Sequence, residues 1–139
     1  SADNMAEKIL TMEVVTPERY VIKTQADSIV VPAAEGYLGV LPNHAPLITS
    51  LRIGVVRYSL KGQEKKMAIS GGFMEVADNV VTILADTAEL AEEIDVDRAI
   101  AAKERALQRL RERKENLDYA RAQLSLQRAM ARLKAAGRD

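Results

Sequence analysis

From residue 96 to residue 136 the chain runs for 41 residues without a proline or a glycine, whereas residues 1–95 hold all four prolines and six of the seven glycines. A stretch so free of backbone breakers, and rich in Ala, Leu, Arg, Gln, Lys and Glu, predicts helix. Drawn as one rod it would be about 60 Å long and would need a partner along its whole face. "RKENLD" (113–118) supplies a break, because Asn116 or Asp118 can cap a second helix. The expected product is an antiparallel two-helix hairpin that leans on the preceding domain. Leu110, Leu117 and Leu124, at intervals of seven, read as its apolar stripe, with Ala106, Leu126, Met130 and Leu133 as neighbours.

Residues 9–86 have a different period. "ILTMEVV" alternates, with Leu10, Met12 and Val14 on one face, and "DSIVV", "YLGVL", "IGVVRYSL", "KKMAIS" and "NVVTILA" are short, β-branched and bounded by turn residues. "LKGQ" (60–63) and "ADN" (77–79) are expected hairpin turns, since Gly and Asn tolerate positive φ. Pro17, Pro32, Pro42 and Pro46 fall at segment ends, where a missing N–H costs no ladder bond. The fold class is therefore α+β, an N-terminal antiparallel β-sandwich or barrel followed by the helical hairpin. The division reads as a flexible terminus (1–8), a β-sandwich domain (9–90) and a hairpin domain (91–139). Met5 is a candidate start residue, which would make residues 1–4 remnants of an expression tag.

Composition narrows the chemistry. Without Cys there is no disulfide, thiolate catalysis or Cys-ligated zinc, and the single His44 has no ligand spacing around it. Aromatics make up 4% with no Trp, which leaves no stacking platform for single-stranded nucleic acid. No run approaches the length of a membrane-spanning helix. The net charge of +0 conceals a division: residues 1–93 carry 8 Lys and Arg against 13 Asp and Glu, and residues 94–139 carry 12 against 7. An acidic front and a basic tail of this kind commonly serve a partner.

The hairpin starts in "EIDVDRAIAAKERA" (93–106). Asp95 is placed to cap the free N–H groups of the first turn, and Arg98 lies three residues on, close enough to pair with it. Ala99 and Ala102 leave that face almost without side chains, which suits either a closely packed neighbour or a flat ligand. Arg121, Arg128 and Arg132 are spaced by seven and four along the second helix, and Arg105 lies seven after Arg98 on the first. Such a run ordinarily makes a solvated basic face. Arginines drawn together by a hairpin would instead need an anion, and guanidinium forks suit phosphate oxygens. No Gly-rich phosphate loop of the Walker kind is present. His44 reads as a hydrogen-bonded turn residue, and "SGGFMEV" (70–76) as a bulge or close backbone approach. No nucleophile, metal or acid–base constellation is present, so no catalytic residue is assigned.

"EGYLGVLPNHAPLIT", "ISGGFMEV", "VTILADTAELAEEID" and "DVDRAIAAKERA", in this order across residues 9–136, resemble the epsilon subunit of F-type ATP synthases, especially the bacterial, nucleotide-binding kind. The resemblance implies a sandwich foot that binds the gamma subunit and the membrane c-ring. It also implies a mobile hairpin, compact on the sandwich or extended along gamma into the alpha/beta catalytic head, where it blocks ATP hydrolysis. Members with an Ile/Leu-Asp-x-x-Arg-Ala motif bind ATP in the compact form, and the motif stands complete here from Ile94 to Ala99. The loop Glu35-Gly36-Tyr37 departs from the Gly-Glu-Leu of many relatives.

Carried over by position, the resemblance implies that Glu89, Ile94, Asp95, Arg98, Ala99, Arg105, Arg128 and Arg132 face the nucleotide and that Arg121 couples the two helices. Glu89 and the Ile94 backbone would read the adenine edge, Ala99 and Ala102 would leave room for adenine and sugar, and the arginines would neutralise the phosphates. ATP is then a regulatory ligand that pins the hairpin shut, with Glu89, Glu92 and Asp95 leaving room for Mg²⁺ beside it. The expected location is peripheral, on the cytoplasmic face of the cell membrane, within the synthase. Two other readings stand beside this one: a structural stalk subunit with no nucleotide response, and a β-domain with a basic arm for nucleic acid, against which the scarce aromatics and interleaved acids argue.

Overall fold

A computed structural model of the chain describes residues 9–112 and 116–138. Residues 1–8 and residues 113–115, the first half of the expected helix break at 113–118, lie outside the described residues, and α-helix resumes at Asn116. Eight strands come first: β1 (Leu10–Val15), β2 (Tyr20–Ala26), β3 (Ser28–Ala33), β4 (Gly36–Val40), β5 (Leu47–Leu60), β6 (Gln63–Ala77), β7 (Val80–Ala85) and β8 (Ala88–Leu90). Hydrogen bonding runs in the order β2-β1-β7-β6-β5-β3-β4, with β8 on β6. Every one of these strands contributes to a single buried cluster that includes Leu10, Met12, Val14, Ile29, Val31, Met67, Met74 and Ile83, so the sheet folds over onto its own apolar face. The alternation read in "ILTMEVV" is the reason β1 belongs there: Leu10, Met12 and Val14 are fully buried.

The structure departs from the expected antiparallel pattern at one place, where β1 pairs with β7 in parallel, Met12 opposite Val81 and Val14 opposite Ile83. Strand β2 escapes the sequence pattern because "YVIKTQA" is largely polar on its outer side, and β5 and β6 are much longer than the apolar runs that betray them. Both expected hairpin turns form. Lys61 and Gly62 join β5 to β6, and Asp78 and Asn79 join β6 to β7, all four at positive φ. Pro32 lies in β3 beside the register shift against β5, so its missing N–H leaves no gap in the ladder.

A single 3₁₀ turn (Ala91–Glu93) leads into helices α1 (Val96–Glu112) and α2 (Asn116–Ala135). They pack through alanines: Ala99 and Ala106 of α1, and Ala122 and Ala129 of α2, are each 1% exposed or less. Both pairs are separated by seven residues, the spacing of one helical face, and methyl side chains let the two backbones approach closely. Of the apolar set expected from the sequence, Ala106 and Leu133 are buried, but the leucine stripe itself is not the buried face. Leu124 and Met130 are exposed, and the Leu117 side chain lies outside the described residues. Gly137, at φ 75, ends α2, with the Arg138 N–H donating to the Leu133 carbonyl at 2.7 Å. On its other side α2 rests on the sheet, where Ala131 and Ala135 meet Val55 and Ala68.

Among the glycines, Gly72 carries the tightest backbone approach. A Cβ there would stand 2.1 Å from the Leu84 carbonyl oxygen, at a φ of +119. Gly39 has nothing within 4 Å of the same position. Gly72→Ala is therefore expected to cost roughly 3 kcal/mol or more, and Gly39→Ala within about 0.5 kcal/mol of nothing. Urea unfolding of the two variants checks the contrast, and equal midpoints would refute it.

Candidate functional site

Between the sandwich and the hairpin lies a cleft of about 340 Å³, lined by both bodies. Ala68, Ile69 and Ser70 of β6, Thr87, and Glu89 of β8 form the sandwich wall, and Ala102 of α1 with Ser125, Arg128, Ala129 and Arg132 of α2 the helical wall. The spacing of four puts Arg128 and Arg132 on one face of α2, and the pairing of Glu89 with Ala68 across β8 and β6 presents Glu89 opposite them. The Arg132 Nε donates to Glu89 Oε1 at 2.5 Å, a partly exposed ion pair that joins strand to helix. Arg128 has no acidic partner among the described residues, which leaves a guanidinium at the cleft for an added anion. The Ser70 and Thr87 hydroxyls meet at 2.5 Å, and the Ser70 N–H donates to the Thr87 carbonyl. Sequence reasoning missed this hydroxyl pair, since 17 residues separate its members.

Of the residues assigned from the sequence, the structure brings Glu89, Arg128 and Arg132 together in this cleft, with Ala102 beside them. Asp95 caps α1: its Oδ1 accepts the Arg98 backbone N–H at 3.1 Å, and its carbonyl accepts from Ala99 at 3.0 Å. The Arg98 guanidinium makes no ion pair with Asp95 and is exposed, as is Arg105. Ala99 is fully buried. Ile94 packs at the junction against Val55, Ala68, Ala131 and Ala135. Arg121 lines a separate cleft near the turn of the hairpin with Arg109, Glu112, Asp118 and Ala122. His44 is the expected turn residue, its Nδ1 2.7 Å from the Ala45 carbonyl oxygen. Among the described residues no group of His, Asp and Glu is arranged to hold a metal ion.

The segment that delivers Glu89 is held from outside the cleft. Arg19, in the turn between β1 and β2, forks onto Glu93, with Nη1 to Oε2 at 2.9 Å and Nη2 to Oε1 at 2.8 Å, and Nη2 also donates to the Ala88 carbonyl at 3.0 Å. Glu93 Oε1 accepts the Leu90 N–H at 2.9 Å as well. The Arg19 hydrogen bond, followed by that of Leu90, holds the Glu93 carboxyl below the usual carboxylate range, against the opposing effect of partial burial. The same bond raises Arg19 above its ordinary value.

Comparison with known proteins supplies the context. The sequence model for the ATP synthase delta/epsilon chain β-sandwich domain matches residues 9–91, and that for the long α-helix domain of the same chain matches residues 92–137. An ATP synthase epsilon chain of Desulfitobacterium hafniense is 57% identical over 126 residues, 91% of this chain and 95% of that one. That of Symbiobacterium thermophilum is 54% identical over 134 residues, 96% and 95% of the two chains. In structure, a chain of the Euglena gracilis mitochondrial ATP synthase (OSCP/F1/c-ring) superposes with a TM-score of 0.78 at 25% identity, covering 91% of this chain and 80% of that one.

The lowered carboxyl gives a pH signature. A carboxyl whose folded pKa is depressed contributes stability above its unfolded pKa, and that contribution is lost as pH falls through the folded value. Protection of the Leu90 amide should therefore survive acidification through about pH 4.3, where free glutamates protonate, and fade below it. NMR titration of the Glu93 side chain should give a midpoint below that of exposed glutamates, moving up in Arg19→Ala. An ordinary midpoint in the unsubstituted chain would contradict this account of the fork.

Proposed function

The chain belongs to the epsilon-chain family of ATP synthases, and from that premise we propose that it is the central-stalk subunit whose hairpin responds to ATP. As an epsilon chain it is a non-catalytic subunit of the synthase. The proposal concerns what the cleft does: ATP fills it, bridges sandwich and hairpin, and holds the hairpin compact; at low ATP the hairpin extends and inhibits hydrolysis.

The carrying observation is that the cleft has walls on two bodies, with Glu89, Ser70 and Thr87 on one and Ala102, Ser125, Arg128 and Arg132 on the other. A ligand that touches both walls binds only the closed arrangement, and differential affinity is what shifts a population. Arg128 and Arg132 offer forked donors to phosphate oxygens, while the Glu89 carboxylate and the hydroxyl pair offer polar partners to a base or sugar. ATP at 100 times its dissociation constant would favour the compact state by about 2.7 kcal/mol, enough to move an equilibrium between states a few kcal/mol apart. Asp95 enters this scheme as the cap that fixes the start of α1, and Arg98, Arg105 and Arg121 supply positive charge along the hairpin. Mg²⁺ would be carried by the phosphates.

The partner surfaces proposed are gamma and the c-ring for the sandwich, with the alpha/beta head for the extended hairpin. The outer face of β5–β7 supports the first, since Ile48, Phe73 and Leu84 are all more than half exposed, with Phe73 directly opposite Leu84. Among the described residues no helix is long and apolar enough to cross a membrane, and attachment through those partners to the cytoplasmic face of the cell membrane is the proposed location. A second reading, a stalk subunit without a nucleotide response, draws support from the Glu89–Arg132 ion pair, which ties α2 to the sandwich by itself.

Calorimetric titration of the chain with ATP separates the two. Arg128→Ala and Arg132→Ala should each weaken ATP binding by about tenfold, as expected for loss of a charge-assisted hydrogen bond, and Asp95→Ala and Arg98→Ala should weaken it less. A chain whose melting temperature is indifferent to ATP would leave the passive stalk reading in its place.

A further inference from the structure

We propose that Arg19 is a positioning residue: it clamps residues 88–93 to the sandwich, so that the hairpin pivots at Ile94–Asp95 and the cleft divides into a stationary wall and a moving wall. The statement about the cleft rests on the nucleotide reading given above; the position of the pivot does not.

Arg19 projects from a turn that is itself locked. Thr16 Oγ1 accepts the N–H groups of Glu18 and Arg19 at 3.3 and 3.2 Å and donates to the Arg19 carbonyl at 3.3 Å, and the Thr16 N–H donates to the same carbonyl at 2.9 Å. The guanidinium is thus carried on a fixed base joined to β1 and β2. It reaches 69 and 74 residues along the chain to Ala88 and Glu93, gripping the segment on both sides of Glu89. Between those two points β8 pairs with β6, with Glu89 opposite Ala68.

The ownership of the bonds changes just beyond. Up to Glu93 the polar contacts run to the sandwich or close within the 3₁₀ turn, apart from the Glu89–Arg132 ion pair, which crosses to α2. From Asp95 they run into α1, through its carboxylate to the Arg98 N–H and its carbonyl to Ala99. Ile94 stands between in an extended conformation, φ −75 and ψ 125, its N–H turned back to the Ala91 carbonyl. Its side chain packs against the small cluster that Ala131 and Ala135 of α2 form with Val55 and Ala68. A rotation at Ile94 and Asp95 therefore breaks a small apolar contact and the partly exposed Glu89–Arg132 pair, and no part of the Arg19 fork. Glu89 stays with the sandwich when the hairpin leaves, and Arg128 and Arg132 go with α2. A lysine at position 19 keeps the charge but has a single ammonium where the fork needs two nitrogens.

The test uses the full chain, with amide hydrogen exchange and ATP calorimetry. Without nucleotide, Arg19→Ala should raise exchange at residues 88–94 by about threefold to tenfold, the range for a charge-assisted but partly exposed bond, and leave the strands of 9–86 as they were. Arg19→Lys should recover part of the protection. In the Glu93→Gln background, adding Arg19→Ala should change little further, because both substitutions break one contact. With ATP added to the unsubstituted chain, protection should rise in the two helices while 88–93 keep theirs, and Arg19→Ala should weaken ATP binding without contacting it. Unchanged exchange at 88–94 in Arg19→Ala, or loosening of the whole sandwich with it, overturns the clamp. Gain of protection at 88–93 in step with the helices places the pivot earlier and overturns it too. If Arg19→Ala loosens the segment yet binds ATP as before, the positioning role is wrong. If the unsubstituted chain fails to bind ATP, the nucleotide reading falls, and the nucleotide-free exchange still decides the clamp.

Discussion

The hairpin meets the sandwich largely through methyl groups. Ala131 and Ala135 of α2 rest on Val55 and Ala68, with Ile53 and Ile94 at the margin. At about 0.8 kcal/mol per buried methylene-sized group, a contact of this kind is worth only a few kcal/mol. The sandwich is built on another scale, with a core drawn from all eight strands. One chain therefore contains a body with an extensive core and a second body attached to it by a much smaller apolar contact. That disparity in apolar burial is the condition for any switch, because a ligand worth a few kcal/mol can decide only between states equally close in free energy.

The polar contacts are distributed in keeping with this. The forked Arg19–Glu93 bond secures the connecting segment to the sandwich, before the junction, and the Glu89–Arg132 pair crosses between the two bodies. Both are partly exposed, so neither contributes as much as a buried pair would. Their value is geometric. The first fixes where Glu89 stands, and the second aligns α2 over it in the absence of any added ligand. The α1–α2 contact is of the same apolar kind: Ala99, Ala106, Ala122 and Ala129 are all buried, so the two helices share a small-residue interface.

Much of the fold was legible in the sequence because it is written in local patterns. The absence of Pro and Gly after residue 95, the alternation of Leu10, Met12 and Val14, and the turn residues at 61–62 and 78–79 all act over a few residues. Asp95 declared its capping role in the same way. The parallel pairing of β1 with β7 did not, since parallel register is set by tertiary packing and leaves no turn between the two strands. The apolar stripe of the second helix was misread for a physical reason: leucines were weighted above alanines, whereas a closely approached helix pair buries the smaller side chain and turns Leu124 and Met130 outward. In the candidate site, the spacing placed Arg121, Arg128 and Arg132 on one stripe, and only the family resemblance singled out Arg128 and Arg132, the two that line the cleft. Ser70 with Thr87, and Arg19 with Glu93, were not legible, because each pair is assembled by the sheet from distant parts of the chain.

On the proposed reading, the same contacts that dock the hairpin also set how strongly it answers to ATP. A ligand that binds only the compact form has its intrinsic dissociation constant divided by the fraction of chains already compact. The Glu89–Arg132 pair and the alanine contact raise that fraction, which tightens apparent binding, yet they also occupy Arg132 with a carboxylate that phosphate must displace. Strengthening the docked state thus improves apparent affinity and reduces the range over which ATP can act, until a fully docked hairpin binds well and reports nothing. The sparse apolar contact and partly exposed ion pair sit between those extremes. The Arg128 guanidinium beside them, without an acidic partner among the described residues, is what gives an added anion something to gain.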